Sequence, residues 1–431
     1  MRRAITSAFT VLGSFLSSVP FDVHAQGAVV HAASCSPADT ETAIGATRDG
    51  DIVVIPSCPA GVSWPSTMTV TKGITIQGAG IGRTVLLDGV FKGNALCAGG
   101  GPMLRFLVAS PRTWRLTGLT VRGSAPDTAV CQSGHVHVSH TTKAWRIDHV
   151  RIENQQTVGI RVTGDTWGLI DHAQFQGVHK NGVVVGHDAW GGHSYGDGSW
   201  SDPLSLGTER AIYVEDCTFS DTHPVGAGAM DALDGGRFVF RQNRATFLAT
   251  HGTESSGRRR GVRSYEIYNN TFDAESLVAV YTAINVRGGT GVIYDNTFAG
   301  DYGVIINLQN FRDTAGYAPW GRCDGSSLYD QNQPGQRGYA CLDQIGRSTG
   351  TRLSGDAPAP AAWPNQALEP LYQWGNVKNG VSNPTMSSHS PNIRASRDYV
   401  DNVVKPGYTA LPYPHPLAAA GPSSVSDGHE R

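Results

Sequence analysis

The stretch YEIYNNTF (265–272) is followed 26 residues later by GVIYDNTF (291–298). Each segment places an apolar residue five positions before a phenylalanine. Earlier segments with the same spacing are WRLTGLTV (114–121), WRIDHVRI (145–152), GLIDHAQF (168–175), IYVEDCTF (212–219) and FVFRQNRA (238–245). Short β-rich units that recur every twenty to thirty residues, without a helix in each unit, are typical of a parallel β-solenoid.

Stacking these segments predicts columns of equivalent side chains, because adjacent turns of a solenoid lie about 4.8 Å apart. One interior column contains Phe175, Phe219, Phe272 and Phe298. A second contains Asn243, Asn270 and Asn296, whose amides can bond the backbones of adjacent turns. Cys217 falls in the asparagine column, which predicts a small buried thiol rather than a reactive one.

The repeats, together with GDIVVIP (50–56) and GITIQGAGIGRTVL (73–86), resemble the right-handed parallel β-helix proteins of the pectate-lyase-like superfamily. The resemblance covers roughly residues 34–312 and implies an all-β, single-stranded right-handed parallel β-helix. It also implies a secreted bacterial protein similar to polysaccharide lyases. The same fold carries hydrolases, esterases and adhesins, and the chain shows no diagnostic catalytic motif of a named lyase family.

The two ends of the chain predict its compartment and its caps. Residues 1–25 have a basic start, an apolar run and small residues before a cleavage site, as in a signal peptide, so we expect a secreted or periplasmic protein without a membrane span. Residues 26–312 are expected to form the β-helix, opened by a capping helix that begins near Ser36. Residues 313–420 are predicted to be an irregular Pro/Gly-rich C-terminal cap, and 421–431 a disordered tail.

Seven cysteines in an exported chain favour disulfides. Proximity along the sequence pairs Cys35 with Cys58, Cys97 with Cys131 and Cys323 with Cys341. These pairings leave Cys217 without a partner.

A polar column is predicted on the outer surface, on the strand that precedes each repeat. Alternation places Thr163, Asp234, His251 and Arg287 outward, each followed by glycine. On neighbouring turns the same surface adds Asn285, Asn307 and Gln309. The alternative is an exposed ladder that only stabilises the solenoid.

An enlarged turn, TESSGRRRGV (253–262), follows His251. The chain carries 34 Lys and Arg against 36 Asp and Glu, so the cluster is local. We expect it to line a groove for an acidic polysaccharide, since arginine forks bind carboxylates. The predicted binding residues are Asp234, Glu254, Arg258, Arg260, Asn285, Asn307, Gln309 and Trp190. Trp190, Tyr195 and Trp200 lie in a second insertion, 187–202, and they fit sugar stacking or ordinary loop packing equally well.

The first functional hypothesis is a lyase that cleaves a uronic-acid polymer by β-elimination. This reaction needs a base, a neutralised carboxylate and an acid for the leaving oxygen. We assign His251 as the base, Arg263 and Arg287 as neutralising groups, and Tyr268, or an arginine, as the proton donor. If Ca²⁺ neutralises the substrate, Asp231 with Asp234, or Glu254, would hold it. The expected partner is the polysaccharide, with no nucleic acid, and the protein is expected to be a monomer.

Two alternatives stay open at this point. A glycoside hydrolase would use Asp234 with Glu254 or Asp231 as its pair of carboxyl groups, although nearby arginines would lower the pKa of a general acid. A non-catalytic glycan-binding solenoid would keep the groove without needing His251.

Overall fold

The computed structural model describes residues 27–93, 99–123, 132–155, 157–178, 180–220, 228–254, 257–274, 280–331, 340–353 and 363–419. The predicted signal peptide, the predicted tail and the predicted Cys97–Cys131 pair lie outside these ranges. The strands are β1 (Val29–His31), β2 (Ile52–Val54), β3 (Cys58–Trp64), β4 (Met68–Val70), β5 (Thr75–Gln77), β6 (Thr84–Asp88), β7 (Leu104–Val108), β8 (Trp114–Gly123), β9 (Val136–His140), β10 (Trp145–Glu153), β11 (Ile160–Val162), β12 (Gly168–Asp171), β13 (Gln174–Gln176), β14 (Asn181–Gly186), β15 (Ile212–Glu215), β16 (Thr218–Ser220), β17 (Gly228–Leu233), β18 (Arg237–Arg241), β19 (Arg244–Ala245), β20 (Leu248–Ala249), β21 (Ser264–Tyr268), β22 (Thr271–Asp273), β23 (Val280–Val286), β24 (Thr290–Tyr294), β25 (Thr297–Ala299), β26 (Tyr302–Leu308), β27 (Leu371–Trp374), β28 (Val377–Lys378), β29 (Val381–Ser382), β30 (Ser387–Ser388) and β31 (Tyr399–Asp401). The helices are α1 (Pro37–Ala46), α2 (Asp197–Ser201) and α3 (Pro416–Ala419), with single 3₁₀ turns at Trp190–Gly192, Ser194–Gly196 and Phe311–Asp313.

The strands stack in parallel into three faces of a solenoid, as the repeat predicted. Face one contains β1, β2, β5, β12, β15, β18, β21, β24, β27, β31 and the first halves of β8 and β10. Face two contains β3, β6, β13, β16, β19, β22, β25, β28 and the second halves of β8 and β10. Face three contains β4, β7, β9, β11, β14 and β17, followed by β20, β23, β26 and β30.

The corner between faces one and two explains the asparagine column. A residue in the left-handed conformation stands directly before each column position, as Gln242, Asn269 and Asp295 do. The chain turns there, and the following asparagine points inward. Asn270 Nδ2 donates to Phe240 O at 2.8 Å, and its Oδ1 accepts from the Asn243 backbone N–H at 2.9 Å. Each amide therefore satisfies backbone groups that the turn removes from the sheet ladder.

The phenylalanine column is confirmed. Phe175 stacks on Phe219 with ring centroids 4.6 Å apart, and Phe272 stacks on Phe298 at 5.3 Å. Ala245 occupies the same register between Phe219 and Phe272. The ring of Phe240 fills the space that this small residue leaves, at 5.7 Å from Phe219 and 6.2 Å from Phe272.

The solenoid continues beyond the predicted boundary at residue 312. β27 pairs in parallel with β24, and β31 pairs with β27. Asn376 extends the asparagine column, since its Oδ1 accepts from the Asn296 backbone N–H at 3.0 Å. The segment 309–370 interrupts the repeat period, which hides this late turn from a search based on spacing.

Three further features bear on the predictions. Helix α1 has Ser36 as its N-cap and contributes Ala43 and Ile44 to the core. Cys35–Cys58 and Cys323–Cys341 form disulfides. Cys217 is free and buried, and its burial raises the pKa of the thiol well above the usual value. No helix in the described part of the chain has the length and apolarity needed to cross a membrane.

Residues 405–418, which we call the strap, run back across the outside of face one. Arg241 donates to the carbonyl oxygens of Leu411 at 2.7 Å and Pro412 at 3.1 Å. The strap packs on an aromatic stack of Tyr268, Tyr294 and Trp374. Face one is therefore covered over these turns.

Replacement of Asn270 by alanine should lower the free energy of unfolding by about 3 kcal/mol, because its four hydrogen bonds would be lost in a buried site. The matched control is Arg244→Ala, whose side chain is 57% exposed and which should cost less than about 0.5 kcal/mol. Urea unfolding of both variants measures the difference. Equal losses would contradict a structural role for the amide column.

Candidate active site

Face three presents a row of polar side chains to the outside. The register of β7, β9, β11, β14 and β17 aligns Arg105, His137, Arg161 and Asp231, with the buried apolar Val184 between the last two. The row continues toward β20, since the His251 backbone N–H donates to Ala232 O at 2.8 Å. Parallel stacking thus brings residues that are distant in sequence onto one surface.

His251 is the centre of the candidate site. Its Nδ1 lies 2.8 Å from Asp231 Oδ1, and Arg287 Nη2 lies 3.2 Å from its Nε2. Its side chain is 26% exposed, whereas that of Asp231 is 4% exposed. Burial lowers the pKa of His251, but the Asp231 carboxylate more than compensates, and the net pKa lies above the usual value.

Two hydrogen bonds hold the Asp231 carboxylate in place beside the His251 imidazole. The Ala232 backbone N–H donates to Oδ1 at 2.8 Å, and Asn181 Nδ2 donates to Oδ2 at 3.4 Å. A carboxylate fixed in this way orients the imidazole and stabilises its protonated form. Sequence reasoning considered Asp231 as a calcium ligand or as a hydrolase carboxyl group, but not as the partner of His251, although its alternation with the buried Met230 and Ala232 already placed it outward.

Arg287 is fixed beside the imidazole. Its Nη1 lies 3.0 Å from Glu254 Oε1, its Nε donates to Thr250 O at 2.5 Å, and its guanidinium lies 4.9 Å from the centre of the Phe311 ring. The sequence predicted that His251 and Arg287 lie on adjacent turns, and the structure brings them together. Glu254 joins them as the partner of Arg287.

Asp234 does not lie in one outward column with His251, although the sequence predicted this. β17 ends at Leu233, and Asp234 stands in the turn that follows with a φ of 52°. Alternation counted past the end of the strand therefore selected the wrong carboxylate as the partner of His251. Asp234 Oδ2 instead lies 3.1 Å from Arg259 Nη1. Burial raises the pKa of Asp234 to about 6, against the opposing effect of Arg259.

Arg260 and Arg263 were predicted to line the groove, and the structure buries both. Arg260 binds Asp343 at 2.7 Å and Asp197 at 2.6 Å. Arg263 donates to the carbonyl oxygens of Ser199 and Asp202, both at 3.1 Å. These guanidinium groups therefore brace the insertion 187–202, because the carbonyl groups at the end of a helix such as α2 have no partner within the helix and need donors.

Tyr268 and Trp190 also lie away from the groove. Tyr268 is on face one beneath the strap, where its hydroxyl accepts from Arg241 Nη1 at 2.8 Å and burial raises its pKa to about 12. Trp190 is buried, and its Nε1 donates to Asp202 Oδ2 at 3.1 Å. Loop packing thus accounts for Trp190, whereas Tyr195 of the same insertion is exposed.

The predicted amides take different positions along β23 and β26. Asn285 and Asn307 are paired in register, and Asn307 Nδ2 donates to Asn285 Oδ1 at 3.3 Å. Asn307 is fully buried, while Asn285 and Gln309 are partly exposed and Arg258 is exposed. Asn307 is therefore not accessible to a ligand in this structure, whereas Asn285 and Gln309 stay candidates.

The described residues contain one group of three or more side chains with metal-ligating atoms close together: Asp313, Cys323 and Cys341. Its two cysteines form a disulfide, which removes them as ligands. Asp231 and Asp234 belong to no such group. Within the described residues, their prediction as calcium ligands therefore gains no third His, Cys, Asp or Glu side chain.

Comparison with solved structures finds matches that include the following three. The alginate lyase from Paenibacillus sp. str. FPU-7 is 14% identical, with 64% of this chain and 94% of that chain covered, at a TM-score of 0.34. The catalytic domain of a GH87 alpha-1,3-glucanase is 12% identical, covering 90% and 70%, at 0.35. ORF18 of Geobacillus virus E2 is 13% identical, covering 76% and 68%, at 0.36. No protein-family model matches the sequence, and no curated protein matches it. Similarity at this level transfers no activity to the chain.

Replacement of Arg260 by methionine should lower the free energy of unfolding by about 3–5 kcal/mol, because Asp343 and Asp197 would be left buried without their cation. Arg258→Met is the matched control in the same turn; Arg258 is exposed, and we expect a change below about 0.5 kcal/mol. Denaturant unfolding of both variants provides the measurement. An Arg260→Met variant as stable as the Arg258→Met control would contradict the structural role of Arg260 and favour its predicted role in the groove.

Proposed function

We propose that the protein is a polysaccharide-active enzyme that cleaves a uronate-containing polysaccharide by β-elimination. The observation that supports this most directly is the placement of His251 between the Asp231 carboxylate and the Arg287 guanidinium. A base next to a fixed cation is what removal of a proton beside a carboxylate requires.

The Asp231 carboxylate accepts a hydrogen bond from Nδ1–H of His251, which leaves Nε2 unprotonated, with its lone pair 3.2 Å from Arg287 Nη2. The uronate carboxylate would take over this contact of Arg287, which frees Nε2 to act as a base. In the reaction, Nε2 removes the C5 proton of the uronate. Asp231 then stabilises the imidazolium that forms. Its short hydrogen bonds hold it in that position before substrate arrives, so little reorganisation is needed.

Arg287 supplies positive charge where negative charge develops. Loss of the C5 proton moves electron density onto the uronate carboxylate, and a guanidinium beside His251 stabilises that charge. Glu254, Thr250 and Phe311 fix its position. We propose that Asn285 and Gln309, on the partly exposed part of the same surface, contact neighbouring sugars.

The leaving oxygen needs a proton donor, and Asp234 replaces Tyr268 in this proposed role. Tyr268 lies on face one, whereas Asp234 stands in the turn directly after β17, three residues beyond the Asp231 that contacts His251. With a pKa of about 6, the carboxyl group of Asp234 is partly protonated near neutral pH.

Glycoside hydrolysis is the second candidate, and the raised pKa of Asp234 favours it, since a glycosidase also needs a protonated carboxyl group. Water activated by His251 and Asp231 would then replace the C5 proton abstraction. The two products differ, because elimination leaves an unsaturated uronate end and hydrolysis leaves only a new reducing end. A glycan-binding solenoid would form neither product.

The compartment remains part of the proposal. The two disulfides support work outside the reducing cytoplasm, as the predicted signal peptide of residues 1–25 also suggests. We also propose that the substrate is an acidic polysaccharide and that the protein is a monomer.

Replacement of His251 by alanine should lower kcat about 10²–10⁴-fold while leaving the thermal unfolding midpoint close to that of the wild type. The activity assay follows the ultraviolet absorbance of unsaturated uronate ends, with reducing ends counted in parallel, on a panel of polyuronates. His149→Ala is the control, since His149 is 57% exposed and bonded to Asp148 away from face three. Full activity of the His251 variant would contradict the proposal, and reducing ends without absorbance would select hydrolysis.

The pH profile of kcat/KM should be a narrow bell. The active form needs His251 unprotonated, with a pKa above its usual value, and Asp234 protonated, with a pKa of about 6. Because the base has the higher pKa, the active form is a minority species that is most populated between the two values. In Asp234→Asn the side chain at position 234 is uncharged at every pH. The profile should therefore rise with pH to a plateau, at a rate below that of the wild type. A bell that persists in this variant would exclude Asp234 as the acid.

A further inference from the structure

A pocket opens directly beside the candidate active site, between the insertion 187–202 and the turn 253–262. It has a volume of about 330 Å³ and is lined by Asp188, Ala189, Ser194, Tyr195, Asp234 and Arg259. Asp234 lines this pocket and stands two residues after Ala232, whose carbonyl oxygen accepts from the His251 backbone N–H at 2.8 Å. When one sugar of a polysaccharide is bound at His251, the adjacent sugar of the same chain would therefore lie in the pocket.

The two walls of the pocket are joined by buried contacts. The Arg260 backbone N–H donates to Tyr195 O at 3.0 Å, and Trp200 Nε1 donates to Gly261 O at 2.9 Å. The ion pair between Arg260 and Asp197 links the same two segments. The pocket is therefore preformed rather than assembled by a ligand, which lowers the cost of ordering on binding.

Tyr195 gives the pocket an exposed aromatic surface. It adopts a φ of 61°, which a non-glycine residue rarely does, and 36% of its surface is exposed while Trp190 and Trp200 of the same insertion are buried. The contacts of its neighbours hold the backbone in this conformation. An exposed aromatic ring among hydrogen-bonding groups suits the apolar face of a sugar ring.

The charges of the pocket favour an uncharged sugar. Arg259 Nη1 already lies 3.1 Å from Asp234 Oδ2, and Asp188 adds a second carboxylate. A sugar carboxylate placed here would meet Asp188 and a guanidinium that is already paired. Hydroxyl groups, by contrast, both donate and accept, so they match a carboxylate and a guanidinium together.

We propose that this pocket is a subsite for one neutral hexose, with the sugar ring on Tyr195 and its hydroxyl groups held by Asp188 and Arg259. The inference rests on the proposed function for the neighbouring uronate at His251. It narrows the substrate class to a heteropolysaccharide in which a uronate is linked to a neutral hexose. Homopolymers of uronate would place a carboxylate in the pocket and bind less well.

The test compares gellan, in which glucuronate is linked to neutral hexoses, with polygalacturonate and alginate, which contain only uronates. Wild-type enzyme should prefer gellan, and Tyr195→Ala should raise KM for it about tenfold with little change in kcat. Tyr281→Ala is the matched control, since Tyr281 is exposed at the start of β23 outside the pocket. Equal cleavage of all three polymers, with no effect of Tyr195→Ala, would overturn the proposal.

The variant Asp188→Asn tests, in the same experiment, whether the carboxylate of Asp188 disfavours a charged sugar. Loss of this carboxylate should shift the preference toward polygalacturonate and alginate, because the repulsion of a sugar carboxylate is removed. An unchanged preference would mean that Asp188 does not select the sugar and would contradict the assigned subsite.

Direct binding separates failure of the subsite from failure of the proposed reaction. Calorimetric titration of wild type and Tyr195→Ala with neutral gluco-, manno- and galacto-tetraoses requires no cleavage. Binding by wild type that Tyr195→Ala weakens supports the subsite even if no polymer is cleaved, in which case the β-elimination proposal fails alone. Absence of binding by wild type overturns the subsite, whatever the result of the cleavage assay.

Discussion

The structure depends on the hydrogen bonds that keep each turn of the solenoid in register with the next. At the corner between faces one and two the chain leaves the sheet ladder, and buried asparagine amides take over the interrupted pairing. Asn243, Asn270, Asn296 and Asn376 each bond the backbone of the adjacent turns. An unsatisfied backbone group in this interior would cost free energy at every turn. The amide column therefore helps to fix the register of the turns that carry it.

The candidate active site is one consequence of that register. Asp231, His251 and Arg287 come from three consecutive turns, and the short distance between turns brings their charged groups within 3.3 Å of one another in succession. A slip of one residue in any of these strands would move a side chain from the outer surface to the core. Rigid stacking thus provides the positional accuracy that proton transfer and charge stabilisation need.

Arginine has two different roles in this nearly neutral protein. Arg237, Arg260 and Arg263 are fully buried and hold the insertion 187–202 through its carbonyl oxygens and through Asp197. A guanidinium suits this role because it offers five donors in a fixed plane. Arg259 and Arg287 lie on the accessible side and pair with Asp234 and Glu254. The cluster that first suggests an anion-binding patch is therefore largely a brace, and the accessible charges next to it are balanced.

The sequence by itself determined the parallel solenoid, the phenylalanine and asparagine columns, two disulfides and the meeting of His251 with Arg287. These features follow from local spacing, because a repeated unit places equivalent residues at equivalent positions. Only the tertiary structure decided that Asp231 rather than Asp234 contacts His251, since a strand end and a left-handed turn interrupt the alternation. It also decided that Arg260, Arg263 and Trp190 are buried and that Tyr268 lies under the strap. Those outcomes depend on how two insertions and a distant C-terminal segment pack against the solenoid, and no local period in the sequence encodes such contacts.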